Sequence, residues 1–295
     1  MKRIRPRALA IGIVSLVFAY INTFKQPNFS QGEYDNRSKV HNTMITQQDQ
    51  IDTSIIITSN LIPTHPSIAM INETINSLHR HLIGLSLDTP MILTIDGLRP
   101  EKEIDNQKNV ERLGEYIERL KNYTEFPFRN VTVLPNPTHL HIARTVKRAM
   151  QFVQTKFVYV LQHDLPFARD VYHTELIQAM TDHPDKLRNI LFKLEGAVGR
   201  FPVCPVYNSQ GTYPTEEYQG LSFYATKRWS DNNQLSTKSY YEEILSFPHM
   251  NGAPEWGMMG LAKANCTYWG QTVYGTRADN FLKHLDGRHA ATIQS

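Results

Sequence analysis

Cysteine is nearly absent from this chain of 295 residues: only Cys204 and Cys266 occur. That scarcity excludes a multiply stapled scaffold. With no CxxC and no Cys/His spacing, it also argues against a structural zinc site. One disulfide or two buried thiols remain. No glycine-rich loop ending in lysine follows the first apolar strand run, which argues against a P-loop and against a sulfotransferase-like enzyme. A charge excess is missing too. Lys2, Arg3, Arg5 and Arg7 lie in the first seven residues. Removing those 4 from 31 basic residues leaves 27 against 28 acidic ones, a net of −1 in place of +3. Nothing beyond residue 7 resembles a nucleic-acid footprint. There is no internal repeat, no long low-complexity tract, and one long apolar run.

That run, Ala8 to Phe24, follows the basic tail and sits at the lower length limit of a membrane-spanning helix. The cations on its N-terminal side place that end in the cytoplasm and the remainder in a lumen. A cleaved signal peptide, with Val17-Phe18-Ala19 at the cleavage site, is the competing reading; the run continues past Ala19, which favours an uncleaved anchor. Sequons at Asn28, Asn36, Asn72, Asn122, Asn130 and Asn265 agree with a glycosylated lumenal body, whereas Pro137 disqualifies Asn136. The organisation expected is a cytoplasmic tail at 1–7, a signal-anchor transmembrane helix at 8–24, a polar stem at 25–50 and a lumenal domain at 51–295. The expected protein is single-pass type II in the Golgi or endoplasmic reticulum membrane.

At 41% hydrophobic residues the body can bury a large core. Short apolar runs alternate with helical periodicity from about residue 51. Strands are expected at 54–60, 91–95, 131–134, 157–161 and 189–194. Helices are expected after Pro66, with Ile68, Ile71, Ile75 and Leu78 on one stripe, and at 108–123, 142–153 and 170–180. Continuous apolar strands between helices indicate a mostly parallel α/β sheet covered on both faces. Beyond residue 196 the rhythm breaks into an irregular half rich in Pro, Gly and Tyr. The run Phe157-Val-Tyr-Val-Leu-Gln-His-Asp164 ends on a carboxylate at a strand tip, where open α/β sheets bind ligands. Asp164 there suits a metal held against a diphosphate.

Several segments resemble the family-two glycosyltransferases of the GT-A fold. Ile55-Ile-Ile-Thr-Ser-Asn60 is similar to that family's first strand and Thr-X-Asn turn, and Leu93-Thr-Ile-Asp96-Gly97 to its second strand. Ala143-Arg144-Thr145, then Phe157 to Asp164, is similar to its Ala-Arg-Asn helix and Asp-X-Asp strand. The triplet here is Gln162-His163-Asp164, so an amide replaces the first carboxylate.

The resemblance implies a Rossmann-type GT-A domain. It would transfer a sugar from a nucleotide diphosphate to a glycan or glycoconjugate, with inversion and with Mn²⁺ or Mg²⁺. Thr58, Asn60, Asp96, Arg144 and Gln162 would hold the nucleotide-sugar, and Asp164 the metal. A late histidine, His284, would complete the metal site beside Arg288. The acceptor base would come from the irregular half. Glu255, in Pro254-Glu-Trp-Gly257, is the first candidate, with the neighbouring indole desolvating it. Asp231 is the second, and Trp256 would stack on an acceptor sugar. The alternative is a catalytically inactive GT-A-like lumenal protein that binds glycans or a protein, with Gln162 its best support.

Overall fold

The strand Thr53–Ser59 (β1) is buried along its whole length because both its faces meet helices. Ile55 and Ile57 enter one core while Ile56 enters the other, as the two-residue period of a strand dictates. The structure, a computed structural model, describes residues 52–100, 107–196, 204, 215–248, 250 and 252–285, all within one unit spanning residues 46–295. The expected tail, anchor and stem lie outside the described residues. Among those described, no helix is long and apolar enough to cross a membrane.

β1 is followed by helix Ala69–His81 (α1), the short strand Leu82–Ile83 (β2), Met91–Ile95 (β3), Gln107–Asn122 (α2), Val131–Pro135 (β4), His141–Met150 (α3) and Phe157–Gln162 (β5). Val171–Tyr172 (β6), His173–Asp182 (α4) and Asn189–Leu191 (β7) come next. The second half holds Glu216–Tyr218 (β8), Leu221–Thr226 (β9), Gln234–Thr237 (β10), Lys238–Ser246 (α5), Pro254–Ala264 (α6), Cys266–Trp269 (α7) and Gln271–Tyr274 (β11).

Nine strands form one sheet in the order β4-β3-β1-β5-β10-β7-β11-β9-β8. The first four are parallel, with β1 central and its register set as Ile57↔Leu93 and Ile57↔Leu161. The sequence suggests that β7 simply continues this series. Instead β10, from much later in the chain, lies antiparallel between β5 and β7. Four residues, Gln-Leu-Ser-Thr, are too short and polar to read as a central strand. Their polar side chains are tolerated because they pair. Gln234 Oε1 accepts from Asn189 Nδ2 at 2.8 Å and from Gln271 Nε2 at 3.0 Å, and Gln234 Nε2 donates to the Tyr241 hydroxyl at 3.2 Å.

The α1, α2 and α4 helices pack on one face of the sheet through Ile71, Ile75, Leu78, Leu113, Tyr116 and Leu176. On the other face α3, α5 and α6 contribute Val146, Ala149, Tyr240, Ile244 and Met258. The α1 stripe also carries Thr74 and Ser77, both buried. Thr74 Oγ1 donates to the His163 carbonyl at 2.7 Å and Ser77 Oγ accepts from Phe167 N at 2.9 Å, which locks the helix to the loop after β5. The segment Gly252 to Gly260, within the half expected to be irregular, is helical from Pro254 onward: proline is tolerated at the first helical position, and Met258, Met259, Leu261 and Ala262 sustain the helix.

Cys204 and Cys266 form a disulfide with Cα atoms 5.8 Å apart, so the two-thiol reading falls away. The bridge joins positions 62 residues apart, and Cys204 N also donates to the Ala225 carbonyl on β9 at 3.0 Å. Loop closure of that size lowers the entropy of the unfolded chain by an amount worth about 4 kcal/mol. Replacing both cysteines by serine is therefore expected to lower unfolding stability by about that much in urea titration, and reductant should reproduce the loss in wild type.

Candidate active site

Parallel pairing of β3, β1 and β5 brings three strand tips together at their C-terminal ends. Thr58 stands opposite Gln162 and Ser59 opposite Ile95, so Asn60, Asp96 and Asp164 emerge at the same edge. A cleft of about 510 Å³ opens there, lined by Thr58, Ser59, Asn60, Asp96, Ile142, Thr145, Gln162, His163 and Asp164. Five of the residues expected for donor or metal binding thus share one cavity. Arg144 is exposed on α3 and is not among the lining residues. A second cavity of about 580 Å³ lies near the start of β7 and β11. Its cations face partners of their own: Lys186 meets Glu216 at 3.1 Å, and Arg188 donates to the Tyr268 carbonyl at 3.0 Å while stacking on that tyrosine's ring.

Asp96 is almost fully buried, and its carboxylate is occupied by the protein itself. Oδ1 accepts from Leu140 N at 2.7 Å, Oδ2 accepts from His141 N at 3.1 Å, and Thr145 Oγ1 and His139 Nδ1 stand at 3.4 and 2.7 Å. The two backbone groups are unpaired donors at the start of α3, where a negative charge also suits the helix dipole. The neighbouring backbone requires Gly97, since a Cβ there would fall 2.4 Å from the Thr138 carbonyl carbon. His141 is held at φ 62°, in the left-handed region that is uncommon for residues other than glycine, though histidine enters it more readily than most. The histidine pair has a signature in sequence, His-Leu-His, that the motif reading passed over.

Asp164 is partly exposed. Its Oδ2 faces His284 Nε2 at 3.3 Å. The approach comes from a C-terminal strap: Phe281 N and Leu282 N donate to the Lys193 carbonyl, Lys283 N to Pro166 at 3.1 Å, and Leu285 N to the Asp164 carbonyl at 2.9 Å. Lys193 is itself buried and donates Nζ to the carbonyls of Thr276 and Arg277, and burial lowers its pKa. His163, between the two strand-tip polar residues, turns inward. Its Nδ1 lies 3.2 Å from the Thr58 carbonyl and burial depresses its pKa, so it acts as a neutral strut. Arg288 lies outside the described residues. No cluster of three or more His, Cys, Asp or Glu is found among the described residues. A cation here would have one carboxylate and one imidazole from the protein, a set that would leave positions for phosphate oxygens and water.

The remaining candidates come from the loop before β10 and the start of α6. Glu255 N donates to Asp231 Oδ1 at 2.9 Å, so the two candidate bases adjoin. Trp256 is 81% exposed and gives Glu255 no apolar screen. The perturbed carboxyl is Asp231: burial, and secondly the Glu255 charge, push it up to about 7. Gln162 reaches this loop too, with Nε2 donating to the Asp231 carbonyl at 2.8 Å and its backbone N to Asn233 Oδ1 at 2.9 Å.

Two tests follow from this geometry. Asp96→Asn places an NH₂ group among donors and removes the capping charge; a loss of about 2 kcal/mol in denaturant unfolding is expected. For Asp231, the native carboxyl holds its proton above the usual carboxylate range. Its stabilising contribution is thus complete below about pH 4 and is lost as pH rises through about 7. Asp231→Asn should match wild type near pH 4 and become the more stable protein by pH 8, by on the order of 2–4 kcal/mol; a constant difference across that range would contradict the assignment.

No protein-family model and no curated protein sequence matches the chain. Solved structures do. GalNAc-T7, crystallised with UDP, GalNAc and Mn²⁺, is similar at a TM-score of 0.51 and 10% identity, over 81% of this chain and 46% of that one. TarS of S. aureus is similar at 0.43 and 12%, over 79% of this chain and 36% of its own. The mannosyltransferase PcManGT from Pyrobaculum calidifontis, in complex with GDP-Man and Mn²⁺, is similar at 0.43 and 8%, over 76% and 57%. This chain therefore spans less than two thirds of each of them. Identities this low speak to architecture alone, and the architecture, carried by the likeness to GalNAc-T7, is the GT-A fold of nucleotide-sugar glycosyltransferases.

Proposed function

We propose that the chain is a glycosyltransferase that moves a sugar from a nucleotide diphosphate to a hydroxyl of a glycan or glycoconjugate. The observation that carries the reading is the pairing of Asp164, which lines the strand-tip cleft, with His284, while Gln162 of the same lining reaches the loop that carries the raised carboxyl of Asp231. The cleft's described lining holds two aspartates and no lysine or arginine. A diphosphate would meet like charge there unless a cation accompanied it, which is why we assign the site a divalent metal. Mn²⁺ or Mg²⁺ held by Asp164 and His284 would act as a Lewis acid toward the departing diphosphate.

The protein's own groups supply the rest. Thr58 and Asn60 contact the donor at the tip of β1. Asp96 works at one remove, holding α3 and its His139–His141 pair beside the cleft. Asp231 takes the proton of the attacking hydroxyl: a carboxyl that titrates near neutrality is matched to that task. Its orientation comes from the Glu255 N–H. Trp256 offers an exposed ring beside the base, suited to the apolar face of an acceptor sugar. The direct attack that this arrangement favours inverts the anomeric centre.

The secretory lumen is the proposed compartment, with residues 8–24 as membrane anchor in the Golgi or endoplasmic reticulum. Support comes from the disulfide and from the sequons: Asn122, Asn130 and Asn265 are exposed and Asn72 half-buried.

Calorimetric titration of the full chain with UDP and GDP, with and without Mn²⁺, tests the reading. Metal-dependent binding is expected, lost in Asp164→Ala and weakened about ten-fold in His284→Ala. Once a donor is found, Asp231→Asn should lower kcat by about 10²–10⁴, and Trp256→Ala should raise the acceptor KM alone. Folded protein that binds no nucleotide would favour the silent binding protein.

A further inference from the structure

The amide at position 162 stands where the resembled family carries the first carboxylate of its triplet. Its surroundings explain why. Gln162 Nε2 lies 2.8 Å from the carbonyl of Asp231, a partner that can only accept, so position 162 must donate. Its backbone N donates to Asn233 Oδ1, and Asn233 Nδ2 donates in turn to the Leu165 carbonyl at 2.6 Å. From the opposite side Ser230 N donates to Gln271 Oε1 at 2.7 Å. Residues 230, 231 and 233 are thereby gripped from two strands, and the Asp231 side chain is left facing the start of α6.

We propose that Gln162 is a positioning residue: it ties the donor-binding tip of β5 to the loop that carries the acceptor-side carboxyl. An aspartate or glutamate there would set an acceptor against a carbonyl and add a third negative charge near Asp231 and Asp164. The carboxylate that motif logic would restore is therefore the substitution this site rejects. The catalytic half of the proposal rests on the glycosyltransferase reading; the structural half does not.

Gln162→Asp and Gln162→Glu test both halves. In the full chain both variants are expected to lower kcat about a hundred-fold, and Gln162→Leu, which removes the donating amide without adding charge to the cleft, should do so with the donor KM within about two-fold of wild type, because the base is misplaced while the donor site persists. Hydrogen exchange should accelerate in residues 229–233 and 253–258 and stay unchanged in β1 and β3. A Gln162→Asp variant as fast as wild type or faster would overturn the proposal, since the carboxylate would then serve the metal. So would a ten-fold rise in donor KM at unchanged kcat, which would make Gln162 a donor contact. Should wild type transfer no sugar at all, the function proposed above fails. Exchange then decides the structural half: faster exchange in both segments supports the tie, and unchanged exchange overturns it.

Discussion

A short antiparallel strand laid against β5 sets the positions of the groups discussed above. β10 pairs with β5 through Gln234↔Val160 to Thr237↔Phe157, so the residues that precede it, 230–233, must pass the tip of β5. Hydrogen bonding then narrows where they can lie. Burying polar groups between strands costs free energy unless they are paired, and the Gln234 amide is paired with the amides of Asn189 and Gln271 and with the Tyr241 hydroxyl. Such a network tolerates one register. Sliding β10 by one residue would turn Gln234 to the opposite face and break its bonds to these partners. Specificity of register at the centre of the sheet thus becomes placement of Asp231 at its rim.

The opposite rim is governed by charge. A helix that starts beside a strand tip offers unpaired N–H groups to an anion. In this chain the offer at α3 is taken up from within, because Asp96 fills it. Under the proposed function, a diphosphate entering the cleft would find that helix end already neutralised. It would have to draw its counter-charge from elsewhere, and the Asp164–His284 pair is where we place the cation that would supply it. That pair depends on the strap of residues 281–285, pinned through backbone bonds to Lys193, Pro166 and Asp164. If the pair holds a metal as proposed, stability of the C-terminal segment and competence of the metal position would be one property.

Legibility from sequence followed the physics of burial. β1, β3 and β5 are buried on both faces, which forces continuous apolar runs, and those runs mark their boundaries within a residue or so. Asp164 and His284, some 120 residues apart, were both legible as ligand types, though nothing in their spacing says that they meet. β10 escaped because Gln-Leu-Ser-Thr shows no apolar pattern; its burial is maintained by partners on other strands. α6 was hidden in the irregular half because Gly257 and Gly260 weigh against a helix locally, while Met258, buried in the second core, and the buried Ala262 outweigh them. For Glu255 the expected indole screen depended on where a side chain points, and Trp256 points to solvent.

The triplet at the end of β5 shows the limit of reading motifs by residue type. Judged as a sequence, glutamine in the first position is a lost charge and an argument for a silent protein. Judged by the atom it faces, it is the side chain at that place able to reach and donate to the Asp231 carbonyl. Asparagine is a methylene shorter, and the carboxylates have no proton to give at neutral pH. The same holds for Asp96, which the motif casts as a ligand contact and the structure casts as a helix cap. In both cases the partner is a backbone group, and backbone groups leave no mark in sequence. A departure from a family pattern is informative about activity only after its hydrogen-bonding partner is known, and here that partner links the donor side of the cleft to the acceptor side.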